Sequence, residues 1–208
     1  MISAKDKFQH PTKRVNELLQ TDFTYFKVMN WGWYNLSTIL DDFSRCSLAW
    51  KLTPTMNAKD VQDTLEIALK KTGLDHVNVL SRSRLLSDNG SCYFSHDLEN
   101  CLQRKRIEHT RGAPYHPMTQ GKIERYHRSM KNVVKLQNYY SPEELEREIA
   151  QFVEYYNNER FHESLDNLTP MDVFTGKTKE VLEKRAEIKR QTLQIRRMQY
   201  LQARAAEV

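Results

Sequence analysis

Three acidic residues stand apart from the other carboxylates by their sequence context. Asp22 lies in a run of threonine, phenylalanine and tyrosine, Asp88 ends a short apolar stretch, and Glu124 precedes a series of basic residues. A buried carboxylate without a partner is costly, so an acid in such a strand faces either solvent or a polar site. Together the three carboxylates could hold two divalent ions about 3.5–4 Å apart, an arrangement suited to phosphodiester cleavage or joining.

Each of these acids also has an ordinary explanation. Asp88 is followed by Asn89 and Gly90, a sequence typical of a turn. Glu124 and Arg128 have the spacing of a common ion pair on a helix. Asp22 could simply be an exposed strand residue. Taken singly, none of the three acids identifies a site.

A basic helix face follows Glu124 in the sequence. Arg128, Lys131 and Lys135 lie at i+4, i+7 and i+11 from Glu124, so all four residues share one side of a predicted helix. The basic side chains could hold phosphates while the acid reaches a metal ion beside them. This spacing favours a polyanionic substrate.

Charge is unevenly distributed along the 208-residue chain, whose formal net charge is +5. Residues 177–208 carry nine Lys and Arg against four Asp and Glu, and residues 1–176 are balanced. Residues 104–135 hold nine basic and two acidic residues, whereas residues 143–172 hold nine acidic and two basic ones. The segregation suggests a polyanion-binding face beside a solvated acidic one.

Other features of the composition exclude several protein classes. No run of about 18 apolar residues is present to span a membrane, and the first residues carry no apolar signal segment. The three cysteines have no CxxC spacing and read as reduced thiols. We therefore expect a cytoplasmic protein without membrane contact, and exclude small secreted scaffolds and zinc fingers.

The elements that must position the acids form a mixed α/β pattern. Periodicity and turn residues predict three strands, a helix, a strand, a helix, a strand and then helices. The predicted strands are 18–28, 33–40, 46–52, 84–87 and 106–110, with a further short apolar stretch at 77–80. The predicted helices are 58–71, 95–105, 121–138 and 141–158, a short turn after Pro170, and a basic helix from 179 to the C-terminus. This order predicts a mixed sheet with helices packed against it.

Taken together, the acids and their neighbours resemble a known family. The blocks Thr21-Asp22-Phe23-Thr24-Tyr25, Ser87-Asp88-Asn89-Gly90 and His116 to Arg125 resemble the three signature blocks of the retroviral-integrase-like catalytic core, within the DDE superfamily. As in that family, 35 residues separate Asp88 from Glu124. The segment Tyr156 to Leu165, with Thr169-Pro170, resembles the C-terminal block of bacterial insertion-sequence transposases.

The resemblance implies a ribonuclease-H-like fold, in which helices flank a five-stranded mixed sheet, and a DNA integrase or transposase activity. Asp22, Asp88 and Glu124 would bind the catalytic metal as two ions of Mg²⁺ or Mn²⁺. The residues expected to face DNA are Asn89, His116, Gln120, Lys122, Arg125, Arg128 and Lys131. For His116, packing within its loop is an equal alternative.

The resemblance also sets expectations for domains and partners. We expect a lead-in over residues 1–17, a catalytic core over 18–176 and a basic helical extension over 177–208. The substrates would be the DNA of the element ends and the target, held by a homo-oligomer. The segment before Asp22 is too short for the helix-turn-helix of such transposases, so a separate DNA-binding subunit is expected. A truncated, non-catalytic remnant that binds DNA or multimerises is the alternative.

Overall fold

The computed structural model describes residues 11–74, 83–112 and 120–206. Its strands are β1 (Leu18–Val28), β2 (Gly32–Asp41), β3 (Ser47–Thr53), β4 (Arg84–Ser87) and β5 (Glu108–Arg111). Its helices are α1 (Ala58–Thr72), α2 (His96–Arg104), α3 (Gly121–Val134), α4 (Pro142–Asn158), α5 (Pro170–Phe174) and α6 (Thr178–Ala206). The predicted order of strands and helices is confirmed, while the apolar stretch at 77–80 lies outside the described residues.

A single five-stranded mixed sheet organises the fold. The strand order is β3-β2-β1-β4-β5, with β1 at the centre. β2 runs antiparallel to both β1 and β3, whereas β4 runs parallel to β1 and to β5. A turn at 41–44 joins β2 to β3, and the buried Asp41 carboxylate fixes it by accepting hydrogen bonds from the Ser44 amide and hydroxyl.

Helices cover both faces of the sheet because alternate strand residues are apolar on each face. On one face, α1 and α2 pack on Leu19, Ile39 and Leu85. On the other, α3 and α4 pack on Phe26 and Leu36. β1 is therefore buried between two apolar layers for most of its length, and its polar residues are held at defined places.

Three helix and strand boundaries differ from or sharpen the predictions. α3 ends at Val134 rather than 138, because Tyr139 folds back into the core and its hydroxyl donates to the Val134 carbonyl at 2.6 Å. β5 begins at Glu108 rather than 106, since Arg106 adopts a left-handed φ of 54°. α1 ends at Thr72, one residue after the predicted end, and Gly73 caps it with a left-handed φ of 70° that suits glycine.

The C-terminal helix α6 lies outside the two apolar clusters of the core. It contains 29 residues, and most of its side chains are exposed, including Ile188, Leu193 and Met198. Within the described ranges, no helix is both long and apolar enough to cross a membrane.

Candidate active site

Asp22 lies on β1, on the face covered by α3. Its Oδ1 accepts a hydrogen bond from the Phe23 amide at 2.8 Å. Its Oδ2 lies 3.3 Å from Nδ1 of His127, a residue of α3 that is 5% exposed. Nε2 of the same ring lies 3.2 Å from the Thr38 hydroxyl on β2. The imidazole thus bridges the Asp22 carboxylate and the neighbouring strand.

Asp88 follows the last residue of β4, next to Asp22. The parallel register pairs Leu19 with Leu85 and Gln20 with Leu86, and continuing it by two residues sets Asp88 level with Asp22. Desolvation raises the pKa of the Asp88 carboxyl, the Gly90 amide bond at 2.9 Å opposes the rise, and the charge of Asp22 adds to it. The two carboxylates therefore repel each other, a repulsion that a bound cation would relieve.

Gly90 leaves room for the Asp88 carboxylate. A Cβ added at Gly90 would lie 3.0 Å from the Asp88 Oδ1 atom. A larger residue would therefore shift the carboxylate by a few tenths of an ångström. The Asp88-Asn89-Gly90 sequence turns the chain, as its composition predicts, with the Gly90 amide donating to Asp88 Oδ1. The same turn places Asp88 next to Asp22.

Glu124 lies in the exposed first turn of α3, and polar contacts fasten the start of that helix to the sheet. The Gln120 amide donates to the Thr21 carbonyl at 3.3 Å and to the Leu86 carbonyl at 3.4 Å, so it spans β1 and β4 just before the two aspartates. The Ile123 amide donates to Oε1 of Gln20 at 3.1 Å. The helix start is thus held beside both aspartates.

Asp42, in the turn between β2 and β3, completes this attachment. Its carboxylate accepts hydrogen bonds from Gln20 at 2.7 Å and Thr12 at 2.6 Å, and it pairs with Lys122 Nζ at 2.7 Å. Since Gln20 in turn accepts from Ile123, one connected set of bonds joins the turn, β1 and α3. We call Gln20, Asp42, Gln120 and Lys122 the helix clamp.

Asp22 and Asp88 are thus neighbours, and Glu124 lies in the first turn of the helix whose start contacts their strands, without a closed ligand set. Among the residues that the structure describes, no three His, Cys, Asp or Glu side chains stand close enough to enclose a metal ion. The donor chemistry nevertheless fits a hard cation, because Asp22 and Asp88 offer adjacent carboxylate oxygens whose negative charges repel each other.

The residues predicted to face DNA fall into three groups. Gln120 is 6% exposed and Lys122 is paired with Asp42, so both attach the start of α3 to the sheet, and their contact with DNA stays a prediction. Arg125 and Arg128 are exposed on α3, and Lys131 is half-buried beside Tyr25. Asn89 donates to the Gly112 carbonyl at 3.0 Å, and His116 lies outside the described residues.

His127 is the residue of the site that the sequence did not single out. The signal was available, because His127 lies three residues after Glu124 and therefore faces the same side of α3. It was obscured by the apolar neighbours Ile123, Tyr126 and Met130, which make this side of the helix resemble ordinary core. A polar ring within an apolar helix face requires partners, and here they are Asp22 and Thr38.

Comparisons with known proteins agree with this geometry. Residues 12–117 match the integrase core domain family, and a second integrase core domain family matches residues 105–170. The chain is 26% identical over 161 residues to the transposase for insertion sequence element IS904 of Lactococcus lactis, covering 76% of this chain and 60% of that protein. It is 28% identical over 162 residues to the putative IS150 transposase InsK of Escherichia coli, covering 76% and 54%.

Viral proteins and solved structures extend the comparison. The Pol polyprotein of equine infectious anemia virus (strain Wyoming) is 32% identical over 110 residues, which are 52% of this chain and 9% of the polyprotein. The simian T-cell lymphotropic virus intasome, in complex with PP2A regulatory subunit B56 gamma, aligns with a TM-score of 0.65 at 21% identity, covering 80% of this chain and 60% of that one.

The catalytic core domain of BIV integrase aligns with a TM-score of 0.57 at 20% identity, covering 80% of this chain and 99% of that one. The chain spans less than two thirds of the length of the viral polyproteins and insertion-sequence transposases that it matches. The sheet, the paired aspartates and the family match lead to one conclusion: the chain belongs to the integrase core domain family.

Proposed function

We propose that this chain is the catalytic core of a DDE-type recombinase that cuts DNA and joins the new end to another DNA, as in integration or transposition. The observation that carries the proposal is the contact of Gln120 with both β1 and β4. It supports the grouping of Asp22, Asp88 and Glu124 where β4 ends beside β1, although they are separated in sequence. Membership of the integrase core domain family supports the same reaction class.

Asp22 and Asp88 would hold two divalent metal ions, either Mg²⁺ or Mn²⁺. Glu124 would complete the ligand set. When bound, such ions lower the pKa of an attacking oxygen and neutralise the charge on the leaving oxygen. A magnesium complex of the HTLV-2 integrase core, which aligns at 18% identity with a TM-score of 0.57 over 77% of this chain and 97% of that one, supports this choice of metal. The fit rests on carboxylate chemistry, since hard cations prefer oxygen ligands.

The remaining residues of the site would bind and orient the DNA. Arg125, Arg128 and Lys131 extend along α3 from Glu124, so phosphates bound to them would lead a strand toward the acids. His127 would keep one oxygen of Asp22 turned toward α3. We propose that the substrates are element ends and target DNA, and that a homo-oligomer holds them, since a neighbouring HTLV-2 integrase core is described as dimeric.

Plasmid nicking tests this function without knowledge of the element ends. Purified chain is incubated with supercoiled plasmid and Mn²⁺ or Mg²⁺, beside the Asp88→Asn and Glu124→Gln variants. The control is Glu143→Gln, because Glu143 is likewise an exposed acid in the first turn of a helix. We expect the wild type and the control to nick the plasmid and the two site variants to lose activity.

Two results would contradict the proposal. Nicking that persists in Glu124→Gln or Asp88→Asn would show that other groups, or a contaminating nuclease, cut the plasmid. A folded wild-type protein that binds DNA but leaves plasmid intact with either metal would instead support a non-catalytic remnant of a transposase.

A further inference from the structure

Two aromatic side chains are exposed side by side on the half of the β1–β2 hairpin that the site does not use. Tyr25 is 53% exposed and Trp33 is 56% exposed, and their rings meet edge to face at 5.3 Å between centroids. The register pairs Lys27 with Trp33, so Lys27 joins the two rings on the same face of the sheet. Neighbouring exposed rings of this size indicate a binding surface rather than scattered surface residues.

Two lysines of α3 extend this surface toward the acids. Lys131 Nζ lies 4.8 Å and Lys135 Nζ lies 5.5 Å from the centre of the Tyr25 ring. Desolvation and Lys135 lower the pKa of Lys131, and the charge of Asp22 opposes this effect. Lys131 thus lies beside Tyr25 and on the same helix as Glu124, so α3 connects the surface to the site.

The pairing of β1 explains why the surface is open. Within the described residues, β4 pairs with β1 only over Leu18–Gln20. Beyond Asp22, that edge of β1 is free of β4, and lysines from α3 can reach Tyr25. We call Tyr25, Lys27, Trp33, Lys131 and Lys135 the aromatic–lysine strip.

We propose that the aromatic–lysine strip binds an unpaired DNA strand, with bases stacked on Tyr25 and Trp33 and phosphates held by the three lysines. Aromatic rings stack on base faces, which are available only where bases are unpaired. The cores of protein interfaces are depleted in lysine, so three lysines around two rings favour a nucleic-acid strand over a protein partner. The role at the Asp22 site rests on the proposed function, whereas strand binding itself does not.

Equilibrium binding without metal tests the strip apart from catalysis. Fluorescence anisotropy is measured with a labelled oligothymidine and with a blunt duplex of the same length, in EDTA. Because stacking contributes roughly 1–3 kcal/mol per base, we expect Tyr25→Ala and Trp33→Ala each to weaken oligothymidine binding roughly 5- to 100-fold and to leave duplex binding nearly unchanged. Asp88→Asn should bind the oligothymidine like wild type, even if no variant ever cuts DNA.

Three further variants separate stacking from loss of fold or charge. Tyr140→Ala is the matched control, because Tyr140 is 63% exposed and lies outside the strip. Trp33→Phe should keep most of the affinity but lose much of the tryptophan quenching that accompanies base stacking. Lys131→Gln should reduce the slope of log affinity against log salt by about 0.7, the value for one phosphate of a single strand.

The source of the strand is resolved with structured duplexes. A duplex with a single-stranded extension represents a processed element end, and a duplex with an internal bubble represents distorted target DNA. Tighter binding of either one than of blunt duplex supports the strip, and the preferred one identifies the source. Equal affinity for all three, or alanine variants that bind oligothymidine like wild type, would overturn the proposal. If Tyr25→Ala or Trp33→Ala changes the mass of the protein in light scattering relative to wild type but leaves its DNA affinity unchanged, the strip would be assigned to a protein interface instead.

Discussion

His127 offers a sharp test of the site geometry, because its two ring nitrogens have different partners. Nδ1 lies 3.3 Å from Asp22 Oδ2, and Nε2 lies 3.2 Å from the Thr38 hydroxyl. A carboxylate can only accept, so the tautomer that serves both contacts carries its proton on Nδ1 and leaves Nε2 to accept from Thr38. Asparagine places its amide nitrogen close to the Nδ1 position and keeps the Asp22 contact. Glutamine reaches the Nε2 position and keeps only the Thr38 contact.

The magnitudes follow from these contacts. A hydrogen bond to a charged group contributes about 1.5–3 kcal/mol, and a buried hydroxyl left unpaired costs about 1–3 kcal/mol. Because Thr38 is fully buried, both contributions apply, and His127→Ala should lower the free energy of unfolding by about 2.5–6 kcal/mol. His127→Asn and His127→Gln each lose one contact, so both should lose about half of that, and to a similar extent.

Activity, by contrast, should separate the two conservative variants. A reacting group displaced by about 1 Å can cost roughly 100-fold in rate, so we expect His127→Gln to lose about two orders of magnitude in plasmid nicking. His127→Asn should stay within about tenfold of wild type, because the Asp22 contact remains. The assay is the nicking rate as a function of Mn²⁺ concentration, measured beside urea unfolding. Gln rescuing activity better than Asn, or Ala acting like wild type, would refute the assignment of His127 to Asp22.

Three other substitutions or measurements follow from the structure. Asp42→Asn should destabilise the protein by about 2–3 kcal/mol in urea unfolding, because either amide orientation sets a donor against Gln20 or against Lys122; unchanged stability would contradict the helix clamp. Asp88→Asn should raise the free energy of unfolding at pH 7, because folding raises the pKa of this carboxyl and keeping it ionised in the folded protein costs free energy. The gain should vanish below the pKa of the unfolded carboxyl, near 3.8. A gain that persists at low pH would exclude this cause. Burial raises the pKa of Cys46 to about 12 and of Cys92 to about 11, so neither thiol should react with a disulfide reagent at pH 8 until the protein is unfolded; rapid labelling of native protein would contradict this.

Local signals predicted most of the sheet and helices. β1 and β4 have the predicted bounds, and Ser141 followed by Pro142 marks the start of α4 as expected. Such signals depend on residues close together in sequence, which is why they can be read from one chain. The early end of α3 depends on Tyr139 reaching back into the core, a tertiary contact without a local signature.

The candidate site was predicted less completely than the fold. The resemblance implied that Asp22, Asp88 and Glu124 bind metal and that Gln120 and Lys122 face DNA, and these roles stay predictions. It did not indicate the pairing of Lys122 with Asp42, which lies 80 residues earlier. Charge type and helix position cannot reveal a partner so distant in sequence. The same limit hid the contact between His127 and Asp22.

The helix clamp has a consequence for judging from sequence whether a site of this kind can work. Asp42 lies in a turn far from all three acids in sequence, yet its bonds through Gln20 hold the first turn of α3, where Glu124 lies. A single change in that turn could therefore displace Glu124 although all three acids remain in the sequence. An intact set of three acids is thus not sufficient to mark a working site. Gln20, Asp42, Gln120 and Lys122 should be read together with the acids.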